Sequence, residues 1–238
     1  MSAKIHEFSS AFNYYFSAMF QDFISKFEER LRQPLPGAEA QFKMASRFRL
    51  PIDMEQFDLS KARKGAVLIL LYPHEEKINT ILTLRPSYDG VHSGQVSFPG
   101  GKLDPTDESL AAAALREAEE EVGLNRNEIT LIGTITNLYI PPSNFLVSPF
   151  VGIMNKKPLL TRNEREVEKI MEVPVTHFLN EKIKGNKTVT PSEFLSFETP
   201  YYDVEGHAVW GATAMMLSEL MEIIRHLTPN LSTGEGEK

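Results

Sequence analysis

Between Asp104 and Glu121 lie seven acidic residues and a single base, Arg116. A solvated helix usually mixes signs, with Glu and Lys three or four residues apart. Here the acids have no such partners, yet the segment reads as a helix from about Glu108 to Val122, stopped by Gly123. At about 100° per residue, Glu117, Glu120 and Glu121 share one arc. Leu110, Ala111, Ala114, Leu115, Ala118 and Val122 occupy the adjoining arc and face a core, with Glu121 at the seam. Like charges at these spacings cost an isolated helix about 0.2–0.5 kcal/mol per pair, and burial at the seam adds to that. A fully solvated acidic face would relieve the repulsion. So would a hard divalent cation such as Mg2+ or Mn2+, which seeks carboxylate oxygens. Spacing alone does not choose between them. Phe98-Pro99-Gly100-Gly101 tips the balance toward the cation, because glycines let backbone approach a metal or a phosphate. An ordinary Pro-Gly turn is the plainer use of the same residues.

Around this segment, two kinds of periodicity alternate. Residues 8–31 place Phe8, Phe12, Phe16, Met19, Phe20, Phe23, Phe27 and Leu31 at helical spacing, and Pro34, Pro36 and Gly37 end the pattern. The helix is expected to dock on its own domain or on a second subunit, which makes a homodimer through it possible. Ala66–Tyr72 and Ile78–Leu84 read as strands flanking a Pro73-His74-Glu75-Glu76 turn, and Gln95–Phe98 as a short strand. Ile129–Thr136, Phe145–Met154 and Phe194–Tyr202 also read as strands. Arg165–Met171 reads as a short helix before Pro174, and Ala212–Leu227 as a longer one. Gln41–Lys64 has no clear assignment. The tail after Thr228, rich in Gly, Ser, Thr and Glu, is expected to be disordered. Strands mixed with a few helices indicate an α/β or α+β layered domain.

Composition removes several classes of function. The net charge of −7, from 25 basic and 32 acidic residues, argues against a nucleic-acid partner, which needs clustered Lys and Arg. A small phosphorylated ligand is compatible with it. With no cysteine, disulfides, thiolate metal sites and cysteine nucleophiles are excluded. The longest apolar run, Ala66–Tyr72, is far short of the roughly 20 residues of a membrane span. The first residues carry no apolar signal core. A cytoplasmic protein with no membrane partner is the expectation.

Gly101 through Leu124 resembles the Nudix box of the Nudix hydrolases: Gly, five residues, Glu, seven residues, then Arg-Glu-apolar-any-Glu-Glu-any-Gly-apolar. The second half is complete in Arg116, Glu117, Ala118, Glu119, Glu120, Glu121, Val122, Gly123 and Leu124. In the first half, six residues separate Gly101 from Glu108 and seven separate Glu108 from Arg116, placing one extra residue in the loop before the helix. Ile81-Leu82-Thr83-Leu84-Arg85 and His92 through Gly101 look like the signature of the coenzyme A pyrophosphatase branch. So do Ser148-Pro149-Phe150-Val151-Gly152, Glu166-Val167 before Val173-Pro174, and Val209 through Ala214. Pro86 and Gly90 differ from the eukaryotic form of that signature, which has Ser or Ala and Arg there. The likeness runs from about residue 60 to 225.

The resemblance implies an α/β/α sandwich with a mixed central sheet over residues 56–228. A helical extension (1–55) would precede it and a tail (229–238) follow it. It also implies hydrolysis of a nucleotide diphosphate, with coenzyme A favoured and ADP-ribose or NADH as alternatives. A non-catalytic binding module on the same fold is the reading from another class, although all the box carboxylates are present. Glu117, Glu120 and Glu121, with the Gly100 carbonyl, would hold Mg2+ or Mn2+, and Glu117, Glu120 and Arg116 would serve catalysis. Arg116 is expected to pair with Glu117 or Glu108; as a mere surface salt bridge it would contribute little. Glu166 is preferred to Glu164 and Glu168 as an acidic residue outside the box. Arg85, His92, Gln95 and Glu166 are the substrate-side candidates, and Trp210 is assigned to core packing.

Overall fold

The computed structural model describes residues 2–47, 49, 58–86, 94–192 and 195–227. Gly90, His92 and the tail after Leu227 lie outside them. The apolar run falls within β1 (Arg63–His74). Its side chains divide by parity: Leu68, Leu70 and Tyr72 enter one buried cluster, Ile69 and Leu71 another. A strand covered on both faces has no polar side to alternate with, hence the unbroken run. β1 continues antiparallel into β2 (Lys77–Leu84) through Glu75-Glu76, both at positive φ as the tight turn demands.

At its other end β1 pairs antiparallel with β4 (Gly100–Lys102) and in parallel with β7 (Phe145–Ile153). β2 also carries β3 (Val96–Ser97) and β8 (Lys169–Pro174), while β7 carries β5 (Thr130–Thr134) and β6 (Leu138–Ile140). A separate antiparallel sheet holds β9 (Lys184–Ser192), β10 (Leu195–Val204) and β11 (His207–Trp210).

Helix α3 (Leu110–Val122) covers one face of the mixed sheet through Ala113, Ala114, Ala118 and Val122. Helices α1 (Ser2–Leu31) and α4 (Gly211–Leu227) cover the other. The arrangement is the expected α/β/α sandwich with an N-terminal helix. In α1, Phe20, Phe23, Ile24 and Phe27 are buried with Ile69, Leu71 and α4, whereas Tyr15 and Met19 are 65% and 50% exposed. A short helix, α2 (Gly37–Phe42), follows within the unassigned stretch. It is fastened through Glu219 of α4, a fully buried carboxylate. Thr136 Oγ1 and N–H (2.6 and 3.3 Å), Gln41 Nε2 (2.8 Å) and the Gly37 amide (3.1 Å) all donate to Glu219. Four donors offset the desolvation of the charge.

One element differs in kind from the sequence reading. Arg165–Met171 is not a helix: Val167 N–H reaches back to Asn163 in a single turn, and from Lys169 the chain is strand β8. Along β8 buried residues alternate with partly exposed ones, and it pairs antiparallel with β2. The free edge of β2, offering a full ladder of hydrogen bonds, outweighs the weak local preference of a short segment. Strand β9 also went unanticipated. Among the described residues no helix is long and apolar enough to cross a membrane.

Candidate active site

Local sequence explains how the box glutamates are presented. Ser109 caps α3, its Oγ accepting the Ala112 amide at 3.1 Å. Gly123, left-handed at φ 71°, closes the helix by donating to the Glu119 carbonyl. Two of the carbonyls then left over are met by the following loop: Asn163 N–H donates to Glu121 O (3.0 Å) and Thr161 N–H to Val122 O (2.9 Å). Those bonds hold the 161–167 segment against the end of α3 and carry Glu166 to the box. Carboxylate oxygens of Glu117, Glu121 and Glu166 come within 4.8 Å of one another.

The glycines form the opposite wall. The Gly100 amide donates to Glu121 Oε2 at 3.2 Å. Glu117 lies against Gly101, where a Cβ would fall 2.4 Å from the carboxyl carbon. Only glycine leaves room for that contact. Glu121 is 3% exposed, and burial pushes its carboxyl up to about 7, with Glu117 and Glu166 adding to the rise. The Gly100 amide and Arg85, 3.7 Å away, pull it back part of the way. Burial likewise raises Glu117, opposed by Arg116. Three hard oxygen donors, two of them desolvated and mutually repelling, suit a small divalent cation.

Arg116 anchors the loop to the helix. Its Nε and Nη2 clasp both oxygens of Asp107 at 2.9 Å, and its Nη1 meets Glu117 at 3.0 Å and Glu120 at 2.9 Å. The guanidinium holds Asp107 below the usual carboxylate range. The expected pairing with Glu117 is present, but the second partner is Asp107, not Glu108. Five residues separate Asp107 from Gly101, so the box count from the glycine pointed to it. The extra residue therefore falls after this acid, in the approach to the helix cap.

Glu120 sits on the rim, about half exposed, outside the three-carboxylate group. Of the substrate-side candidates, Arg85 borders Glu121, and the Gln95 carbonyl accepts the Arg85 amide at 3.0 Å. Glu164 is turned to Arg162 instead of the cluster. Trp210 is only partly buried, against its assignment to the core: its neighbours Val209 and Ala214 fill the interior.

A glycine strand laid beside a carboxylate-bearing helix on an α/β/α sandwich defines the class of Nudix hydrolases. The NUDIX domain pattern matches residues 62–194 of the chain. An uncharacterized Nudix hydrolase NudL of Photorhabdus laumondii is 31% identical over 188 residues, 76% of this chain and 95% of that protein. One of the same name from Enterobacter sp. is 36% identical over 187 residues, 74% of this chain and 90% of its own. The chain belongs to the NUDIX family and is a hydrolase. Among solved structures, the Nudix hydrolase RenU of M. smegmatis superposes with a TM-score of 0.49 at 16% identity, over 69% of this chain and 87% of its own.

Proposed function

We propose that this hydrolase cleaves the diphosphate of coenzyme A or its derivatives to 3′,5′-ADP and 4′-phosphopantetheine. The observation that carries the hydrolytic reading is the convergence of Glu117, Glu121 and Glu166 beside Gly100 and Gly101. The substrate rests on the signature residues from Ile81 to Gly101. Glu117, Glu121 and Glu166 would hold Mg2+ or Mn2+, whose charge offsets that of the diphosphate oxygens. Glu120, free on the rim but for Arg116, takes the proton of the attacking water. The P–O bond to the departing phosphate breaks as water oxygen adds to the other phosphorus. Arg116 orients both Glu117 and Glu120, and Arg85 offers its guanidinium to a phosphate oxygen.

A panel of coenzyme A, ADP-ribose and NADH, each with Mg2+ or Mn2+, tests the assignment by product chromatography and by ranking kcat/KM. Coenzyme A is expected to rank first. Intact coenzyme A overturns the substrate, and faster turnover of ADP-ribose or NADH installs the alternative. Turnover of any of them at the normal rate by Glu121→Gln, with Mn2+ binding unchanged, removes the metal assignment.

A further inference from the structure

The sheet β9–β10–β11 supplies nothing to the carboxylate cluster, and its two faces differ. Tyr202 and Val209 pair across strands and are buried in the cluster that contains α4. In the next row Tyr201 stands opposite Trp210 on one side and Gly185 on the other, with Lys187 opposite Thr199 two residues along. Because side chains alternate along a strand, Tyr201, Trp210 and Lys187 share the other face.

That face is aromatic and cationic, and partly open at Tyr201, Trp210 and Lys187, although Thr199 on the same face is buried. Trp210 and Tyr201 are both partly exposed. Lys187 Nζ lies 5.9 Å from the centre of the Trp210 ring. The Tyr201 ring rests over Gly185, where a Cβ would come within 2.8 Å of three ring atoms. Beside Trp210 there is room, since a Cβ on Gly211 would meet nothing within 4 Å. A partly exposed indole beside an ammonium suits a planar, electron-rich ring that carries negative charge nearby.

The edge of this sheet also meets the strand that leads to the site. β11 lies against β3, and Thr213 Oγ1 donates to the Val96 carbonyl at 3.0 Å. From β3 the chain enters Gly100-Gly101, and the adjoining Gln95 carbonyl holds the amide of Arg85, whose side chain borders Glu121.

We propose that Trp210, flanked by Tyr201 and Lys187, stacks the base of the nucleotide whose diphosphate is cleaved at the carboxylate cluster. The inference rests on the diphosphatase reading above and adds the residues that recognise the nucleoside. Trp210 is the single tryptophan of the chain, so its emission reports on this ring alone. With the full-length protein in Mg2+, titration with AMP and with 3′,5′-ADP is expected to quench the emission saturably. Inorganic pyrophosphate, which has no base, is expected to leave it unchanged. Trp210→Leu should raise KM for the nucleotide substrate about tenfold while kcat stays within about twofold, and Trp210→Phe should recover most of the loss. Absence of quenching by either nucleotide overturns the platform, and so does an unchanged KM in Trp210→Leu. Should that variant fail to fold, quenching of the unaltered protein still decides. Saturable quenching without cleavage of any diphosphate keeps the platform and sinks the hydrolytic reading; cleavage without quenching does the reverse.

Discussion

A Cβ at Gly101 meets the far end of a flexible side chain, the Glu117 carboxyl. Gly101→Ala is therefore expected to displace that carboxylate and leave the backbone in place. A shift of this size in a catalytic group costs about a hundredfold in rate, so kcat/KM should fall by that order while the melting temperature changes little. An equal collapse of both would place the glycine in folding, not in the site. Glu121 sets the pH response. Its carboxyl sits at about 7 in the fold, above its ordinary 4.5. Between those values the folded state holds the extra proton, so the ion-free protein loses stability as pH rises through that window. A divalent cation needs the ionised carboxylate. The rise in melting temperature on adding Mn2+ should be small near the bottom of that range and grow as pH passes about 7. A metal-induced shift that is flat with pH, read by scanning fluorimetry, would count against Glu121 as a ligand. Asp107 shows how far single residues were readable: spacing from Gly101 marked it, spacing to Arg116 marked Glu108, and contact with the guanidinium chose Asp107.

Helix α3 was readable nearly end to end, because its apolar stripe and its stop at Gly123 are local signals. The long strands β1, β2 and β7 were readable for the same reason. Short elements were not. Residues 165–171 have too few side chains to distinguish a period of 3.6 from one of 2, and pairing with β2 settled the matter. The error has a functional consequence. In a helix over 165–171 the Glu166 carboxylate would have been one of several on a solvated surface. In the observed turn, Asn163 is bound to the end of α3 and Glu166 is delivered to Glu117 and Glu121. Strand β11, which ends at Trp210, is likewise placed by lying against β3, the strand that leads into Gly100 and Gly101.

Across the whole molecule, the N-terminal helices share the core of the sandwich. Phe20, Phe23, Ile24 and Phe27 of α1 pack into the cluster that holds α4 and one side of β1, and Glu219 fastens α2 and Thr136 to α4. Glu219→Ala should destabilise the fold by about 1–3 kcal/mol for each donor left buried without a partner. A denaturant midpoint unchanged from that of the unaltered protein would show that the carboxylate is dispensable. Family and chemistry were legible in the chain because the Nudix box is a local pattern, with acids and glycines counted along one loop and one helix. Layering was legible because burial imposes periods of 2 and 3.6 on strands and helices. Glu166 was legible only as the preferred acid outside the box, and its meeting with Glu117 and Glu121 belongs to the fold. Two features were not legible: which of two neighbouring acids takes Arg116, and the Trp210 ring standing partly open. The first depends on the loop path into the helix, and the second on strands distant in the chain meeting in one register. Those are set by hydrogen-bond pairing and packing of the assembled sandwich, and spacing along one segment carries no record of them.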